Sequence, residues 1–141
     1  MRLDFASLLT DANVRAFLLV IRRGESSLGP EAYSMRYPGK RFEDLSRHPR
    51  IFEPLPDGRQ SSAAGAYQFT ATTWDEIRAK YELPDSMAQG NQDRMAVALL
   101  DHIGALNLVL VGDFYGATRI AGKRWASLPD AVLEDGGSNI S

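Results

Sequence analysis

At 141 residues, 44% of them hydrophobic, the chain can bury one sizeable core but hardly two. A net charge of −2 and a pI of about 5.7 exclude a general affinity for nucleic acid or for an anionic membrane surface. The absence of cysteine removes disulfide frameworks and thiolate nucleophiles from consideration, yet leaves the compartment open.

No secretory signal is read at the start, because Asp4 and Asp11 interrupt any charged, apolar, small-residue order. A target beyond the cytoplasmic membrane would therefore need another factor to deliver the protein. The first helix is expected from about Asp11 to Arg23. Thr10 or Asp11 caps its start, Arg22 and Arg23 fill its last turn, and Gly24 takes the C′ position. Its residues Phe17, Leu18 and Ile21 have helical spacing and belong to the core. The apolar run ending at Ile21 is far shorter than the roughly 20 residues of a membrane span.

Between Leu28 and Gln68, Pro30, Pro38-Gly39, His48-Pro49, Pro54 and Pro56-Asp57-Gly58 leave room only for short strands and turns. A helix should start at Thr72 or Thr73, where Thr-x-x-Asp and Thr-x-x-Glu fit a capping box, and end before Pro84. Another is expected over about Gln92 to Ile103, burying Met95, Leu99 and Ile103 and stopping at Gly104. Two shorter helices follow, near Ala105 to Val111 and Phe114 to Ala121, the latter capped by Asp113. The expected class is α+β, mainly α, with a cleft between a helical domain and a small β or irregular lobe. Residues 1–135 form one domain in this reading and 136–141 a loose tail. No coiled-coil pattern calls for self-association, so a monomer is expected.

Glu25 stands where the first helix ends. The partial negative charge of a helix C-terminus, or burial, would raise its pKa and make it a general acid. Arg22 and Arg23 would oppose this if they reach it, and a plain surface glutamate is the alternative. Gly65-Ala66-Tyr67-Gln68-Phe69 is a turn in which Gly65 allows close backbone approach. Tyr67 can lie against a sugar face and Gln68 can donate and accept hydrogen bonds; a turn with a buried tyrosine is the other reading. Phe42 and Trp74 are read as core, whereas Tyr33 and Trp125 suit either the core or a pyranose platform. His48 can orient substrate or carry a proton. His102 sits on a helix facing solvent. Two such histidines without cysteine or a His-Glu-x-x-His spacing argue against zinc, and no metal or cofactor is expected. Ser26, Ser27, Ser61 and Ser62 lack triad partners, and there is no Gly-x-Ser-x-Gly elbow or phosphate-binding glycine loop.

From Arg15 to Pro129 these residues, in this order, resemble the phage lambda endolysin family of lytic transglycosylases. Ala16-Phe17-Leu18 leads without a gap to Glu25 at that family's catalytic glutamate. Tyr33, Phe42, Asp44, Ser46 and His48-Pro49-Arg50 follow, then Gly65-x-Tyr67-Gln68, Trp74-Asp75 and Gln92-Asp93. Gly104-Ala105-Leu106, Gly112-Asp113 and Trp125-Ala126-Ser127-Leu128-Pro129 complete the set. Glu25-Ser26 and Gly65-x-x-Gln68 also look like the first two motifs of the soluble lytic transglycosylase and goose-lysozyme superfamily. In that comparison the Ser26 hydroxyl orients the Glu25 carboxyl group. After Pro129 the similarity lapses, and the cleft wall there is expected to be differently built.

The resemblance implies a lysozyme-like fold, Glu25 as general acid and base, and substrate contacts from Ser26, Tyr33, His48, Tyr67, Gln68 and Trp125. It implies peptidoglycan as partner, without nucleic acid or stable membrane insertion. The protein would be made in a bacterial host and act at the periplasmic wall or from a phage particle. Hydrolytic phage lysozymes of the T-even type resemble a Glu, eight residues, Asp, five residues, Thr pattern; counted from Glu25, those positions hold Ser34 and Lys40. Glu31, Glu43 and Asp44 are the nearest other carboxylates, none with an obvious role. A lone acid favours ring closure by the substrate's own hydroxyl over attack by water. A hydrolytic muramidase and an inactive glycan-binding phage structural protein are the competing readings.

Overall fold

The computed structural model describes residues 2–128, so the tail expected at 136–141 and the segment after Leu128 lie outside the described residues. The chain opens with a short helix α1 (Phe5–Thr10) that the pattern analysis did not anticipate. It has no fully buried residue and too few turns to show a period. Asp4 holds it by accepting from Ser7 N at 3.2 Å and Ser7 Oγ at 2.7 Å.

Helix α2 (Ala12–Glu25) follows after one residue. Asp11 ends α1 and caps α2, accepting from Asn13 N at 2.9 Å and Val14 N at 3.0 Å. Val14, Phe17, Leu18 and Ile21 form its buried stripe, as their spacing predicted. Gly24 is not the C′ residue: the helix runs through it to Glu25, and Ser26 closes it by donating to Arg22 O at 2.8 Å. The reason is steric: the turn carrying Ser127 lies too close to Gly24 for a side chain.

A 3-10 turn (Pro30–Ser34) leads into two small antiparallel hairpins. Strands β1 (Met35–Arg36) and β2 (Lys40–Arg41) pair Met35 with Arg41; β3 (Glu53–Pro54) and β4 (Gln60–Ser61) pair Glu53 with Ser61. Bridges from Ala64 to Arg36 and to Phe69 carry the Gly65 turn onto the first hairpin.

Helix α3 (Ala71–Tyr81) starts ahead of the predicted Thr72 or Thr73. Ser62 Oγ accepts from Ala71 N at 2.8 Å and Thr70 is the cap, so a tertiary contact satisfies the first turn and the threonines fall inside it. Helix α4 (Gln89–His102) likewise begins three residues before Gln92, and Asn91 ties its start to the carbonyls of Pro84 and Ser86. It is buried continuously from Met95 to Leu100 and is the centre of the core, packed by α1, α2, α3 and α5. Helices α5 (Leu106–Leu110) and α6 (Phe114–Ala121) fall where expected, and Asp113 caps α6 by accepting from Gly116 N at 2.9 Å.

The β lobe is stapled to α3 by a polar cluster. Asp85 accepts from His48 N at 3.0 Å, Trp74 Nε1 at 2.9 Å and Arg50 Nη2 at 3.2 Å, while Arg50 forks onto Asp75 with two bonds of 2.8 Å. A bidentate guanidinium fixes angle as well as distance. This cluster accounts structurally for the His48-Pro49-Arg50 and Trp74-Asp75 motifs.

Candidate active site

Glu25 lies half-buried at the C-terminal end of α2, beside the turn that carries Gly65 to Phe69. Three contacts from distant parts of the chain hold this corner. Ser26 Oγ donates to Ala66 O at 2.6 Å, Trp125 Nε1 donates to Tyr67 O at 2.9 Å, and Ser127 Oγ donates to Glu25 Oε2. The turn at 125–128 is pressed so closely against α2 that a Cβ on Gly24 would stand 2.9 Å from Ser127 Cβ. Gly24 is therefore a clearance residue inside the helix, and that clearance is what lets Ser127 reach the carboxyl group.

Burial pushes the Glu25 carboxyl above the usual carboxylate range, and the Ser127 hydrogen bonds pull against that rise. The arginines that could have cancelled it do not reach Glu25. Arg22 turns away to the carbonyls of Leu28 and Gly29, both at 3.0 Å, and lies over the Tyr33 ring at 4.9 Å. No lysine or arginine forms an ion pair with Glu25 among the described residues. Of the nearby carboxylates, Glu31 accepts from Ser27 Oγ at 2.9 Å, and its pKa is lowered first by its own backbone amide and then by that contact.

The turn itself is supported from behind by α4. Gln92 Oε1 accepts from Ala66 N at 2.8 Å, and its Nε2 donates to Tyr33 O at 2.9 Å and Met87 O at 2.7 Å. Gly65 has φ +87°, and a Cβ there would run into Gln92 Oε1 and stand 2.9 Å from Met87 Cε. The expected close approach at Gly65 is thus to a buried amide. Asp93 Oδ1 accepts from both Tyr33 Oη at 2.9 Å and Tyr67 Oη at 2.6 Å.

The structure sorts the sequence-selected residues accordingly. Tyr33, Tyr67 and Trp125 are buried, with their polar ends spent on Asp93 or on Tyr67 O, so they brace the corner from within. His48 is buried too: Nε2 lies 2.8 Å from Phe69 O and Nδ1 accepts from Arg50 N at 3.0 Å. No ring nitrogen is left for a substrate, and burial lowers its pKa, so the proton-carrying role expected of it has no geometric basis. Ser26 faces Ala66 and does not orient the carboxyl group; Ser127 does. Gln68 is half-exposed, with Nε2 donating to Gly65 O at 2.8 Å and Met35 O at 3.2 Å. Ser127 and Gln92 were missed as site residues, although each belongs to a motif of the resemblance. No group of three or more histidines and carboxylates is arranged to hold a metal ion among the described residues.

Comparison with known proteins agrees with this architecture. The solved lysozyme of bacteriophage lambda complexed with a chitohexasaccharide superposes with a TM-score of 0.73 at 30% identity, over 83% of this chain and 79% of that one. A second lambda lysozyme structure gives the same TM-score at 28% identity, over the same shares of both chains. The helical domain with its small β lobe is therefore an α+β lysozyme-like fold. The endolysin of Escherichia phage P2 is 34% identical over 97 residues, which is 64% of this chain, and the aligned part spans 57% of that protein's length. The family model described as Endolysin matches residues 15–140, past Pro129 where the resemblance was expected to lapse, and the chain belongs to that family.

Proposed function

We propose that the protein is a peptidoglycan lytic transglycosylase. It cleaves the β-1,4 bond between N-acetylmuramic acid and N-acetylglucosamine and leaves a 1,6-anhydro sugar. One observation carries this: Glu25 is half-buried and unpaired with any cation among the described residues, so burial holds its pKa above the usual carboxylate range against the pull of the Ser127 hydroxyl. Membership of the endolysin family and the likeness to a lysozyme complexed with a chitohexasaccharide support a glycan substrate.

In this chemistry Glu25 protonates the bridging oxygen as the muramyl ring gains oxocarbenium character. The substrate's own acetamido group steadies the cation. The Glu25 carboxylate then takes the proton of the muramyl 6-hydroxyl as that oxygen bonds to the anomeric carbon, so no water is consumed. An internal hydroxyl gains effective concentration over a free nucleophile. Gln68 meets the glycan through its amide oxygen, since its Nε2 is already committed. Ser26, Tyr33, Tyr67 and Trp125 serve by holding the corner around Glu25. The protein works as a monomer on the wall from the periplasm; no helix among the described residues is long and apolar enough to cross a membrane.

Mass spectrometry of digested sacculi tests the reading. Anhydro-terminated muropeptides, lighter by one water than reducing ends, are expected. Reducing ends in their place would make the protein a hydrolytic muramidase. Equal loss of turbidity with wild type and Glu25→Gln would remove both.

A further inference from the structure

The β lobe contains a recess of about 450 Å³ that the proposed chemistry does not use. Arg36, Arg41 and Arg47 surround it, with Phe42, Pro49 and Ile51 supplying apolar wall. Arg36 is spent on Glu53 at 2.7 Å. Arg41 and Arg47 are exposed, and neither forms an ion pair among the described residues. The acidic residues are unequal. Asp44 is committed to Ser46, accepting from its N at 2.9 Å and its Oγ at 2.6 Å, whereas the exposed Glu43 side chain forms no hydrogen bond among the described residues. A chain of net charge −2 thus gathers around a single recess the exposed carboxylate of Glu43 and two exposed guanidinium groups outside any close ion pair among the described residues, Arg41 and Arg47, which feel Glu31 and Asp44 respectively only through charge.

We propose that this recess binds the carboxylate-bearing stem peptide attached to muramic acid, an inference that rests on the peptidoglycan reading above. Guanidinium forks match peptide carboxylates, Glu43 faces the amino group of a diamino acid, and the apolar wall takes alanine methyls. The recess is joined to the site through few atoms. Arg36 follows Met35, whose carbonyl accepts from Gly65 N at 2.7 Å, and Gly65 precedes Ala66, the acceptor for Ser26 beside Glu25. A four-residue stem reaches roughly 13 Å when extended, which sets the largest separation from the muramyl ring at which the recess can act.

The test uses a free stem tetrapeptide as probe, together with glycan strands that carry stems or have been stripped by an amidase. Wild type should bind the tetrapeptide at low salt and Arg41→Ala/Arg47→Ala should lose that binding. The wild-type kcat/KM should favour stem-bearing strands about tenfold, equal to about 1.4 kcal/mol, and the double variant should fall within twofold of no preference. Arg41→Lys/Arg47→Lys should recover part of it, keeping charge without the fork. Equal cutting of both strands by wild type, or tetrapeptide binding unchanged in the double alanine variant, would overturn the proposal. If neither strand is cut, the enzymatic reading fails while the peptide titration still decides the recess.

Discussion

Gly24→Ala tests how the acid is held. In an open helix interior this change stabilises by about 1 kcal/mol, through the lower backbone entropy of alanine. Here the added Cβ would collide with Ser127 Oγ, stand 2.9 Å from Ser127 Cβ and 3.3 Å from Ser127 O. One of these atoms is backbone, so the neighbour cannot simply rotate away. Overpacking of this kind costs about 1–3 kcal/mol, which cancels or reverses the helical gain. The net expectation is a loss of zero to about 2 kcal/mol, read as a fall in Tm of up to roughly 8 °C for a chain of this size. Activity should suffer more, because moving the turn takes Ser127 off Glu25. A hydrogen bond to a charged group is worth about 1.5–3 kcal/mol, or roughly ten- to a hundredfold in kcat. Adding Ser127→Gly removes the colliding side-chain atoms and should restore stability without restoring activity, a coupling that a double-mutant cycle resolves. A Gly24→Ala protein about 1 kcal/mol more stable than wild type, and fully active, would refute the close approach of the turn.

Glu25→Gln should abolish anhydro-product release. Its stability has a definite pH dependence: with the folded pKa raised, the native protein holds a proton the unfolded chain gives up, so wild type loses stability as pH rises from the ordinary carboxylate value through the raised one. Urea midpoints should show the glutamine variant gaining on wild type across that window, and parallel curves would count against a buried acid. His48 has the opposite sign of shift, so its contribution is complete above the ordinary value of 6.5 and fades as pH falls through the lowered one. His48→Gln should flatten that acid-side loss; an unaltered profile would mean the ring is not buried neutral. Trp125→Ala should destabilise by about 3–5 kcal/mol by emptying a buried site. A well-folded but inactive protein would place the indole against substrate instead.

The longer helices were legible because their information is local. Asp11 and Asp113 lie beside the amides they cap, and the α2 stripe repeats within one helix. Helix α1 was not, since six residues without a buried side chain leave no period to read. The starts of α3 and α4 shifted because their first turns are satisfied from Ser62 and from the carbonyls of Pro84 and Ser86. Glu25 was identifiable from its place at a helix end, but the group that touches it is 102 residues away. Gly24 was misread for the same reason: glycine at a helix end ordinarily signals a left-handed cap, and only the distant turn shows that it is there for want of a side chain. The tyrosines and Trp125 were chosen for surfaces that suit sugars, and those same surfaces suit a core.

Ser127 also bears on how one carboxyl group can act twice. The proposed cycle needs Glu25 first as an acid and then as a base, so its two protonation states must lie close in energy near working pH. Burial alone would hold the proton too tightly and leave a poor acid. A backbone amide would donate only to the carboxylate, and an arginine would stabilise that anion strongly; either would leave too little of the protonated form. A hydroxyl differs because it can donate to the carboxylate and, after rotating, accept from the acid. The opposition of burial and Ser127 at Glu25 is the balance such a role requires. It follows that Ser127→Ala should carry the alkaline limb of the pH–rate profile to higher pH while lowering its maximum, whereas Ser127→Thr, with the hydroxyl kept, should move the limb little. A Ser127→Ala profile of unchanged shape would mean that the hydroxyl only packs against the carboxyl group.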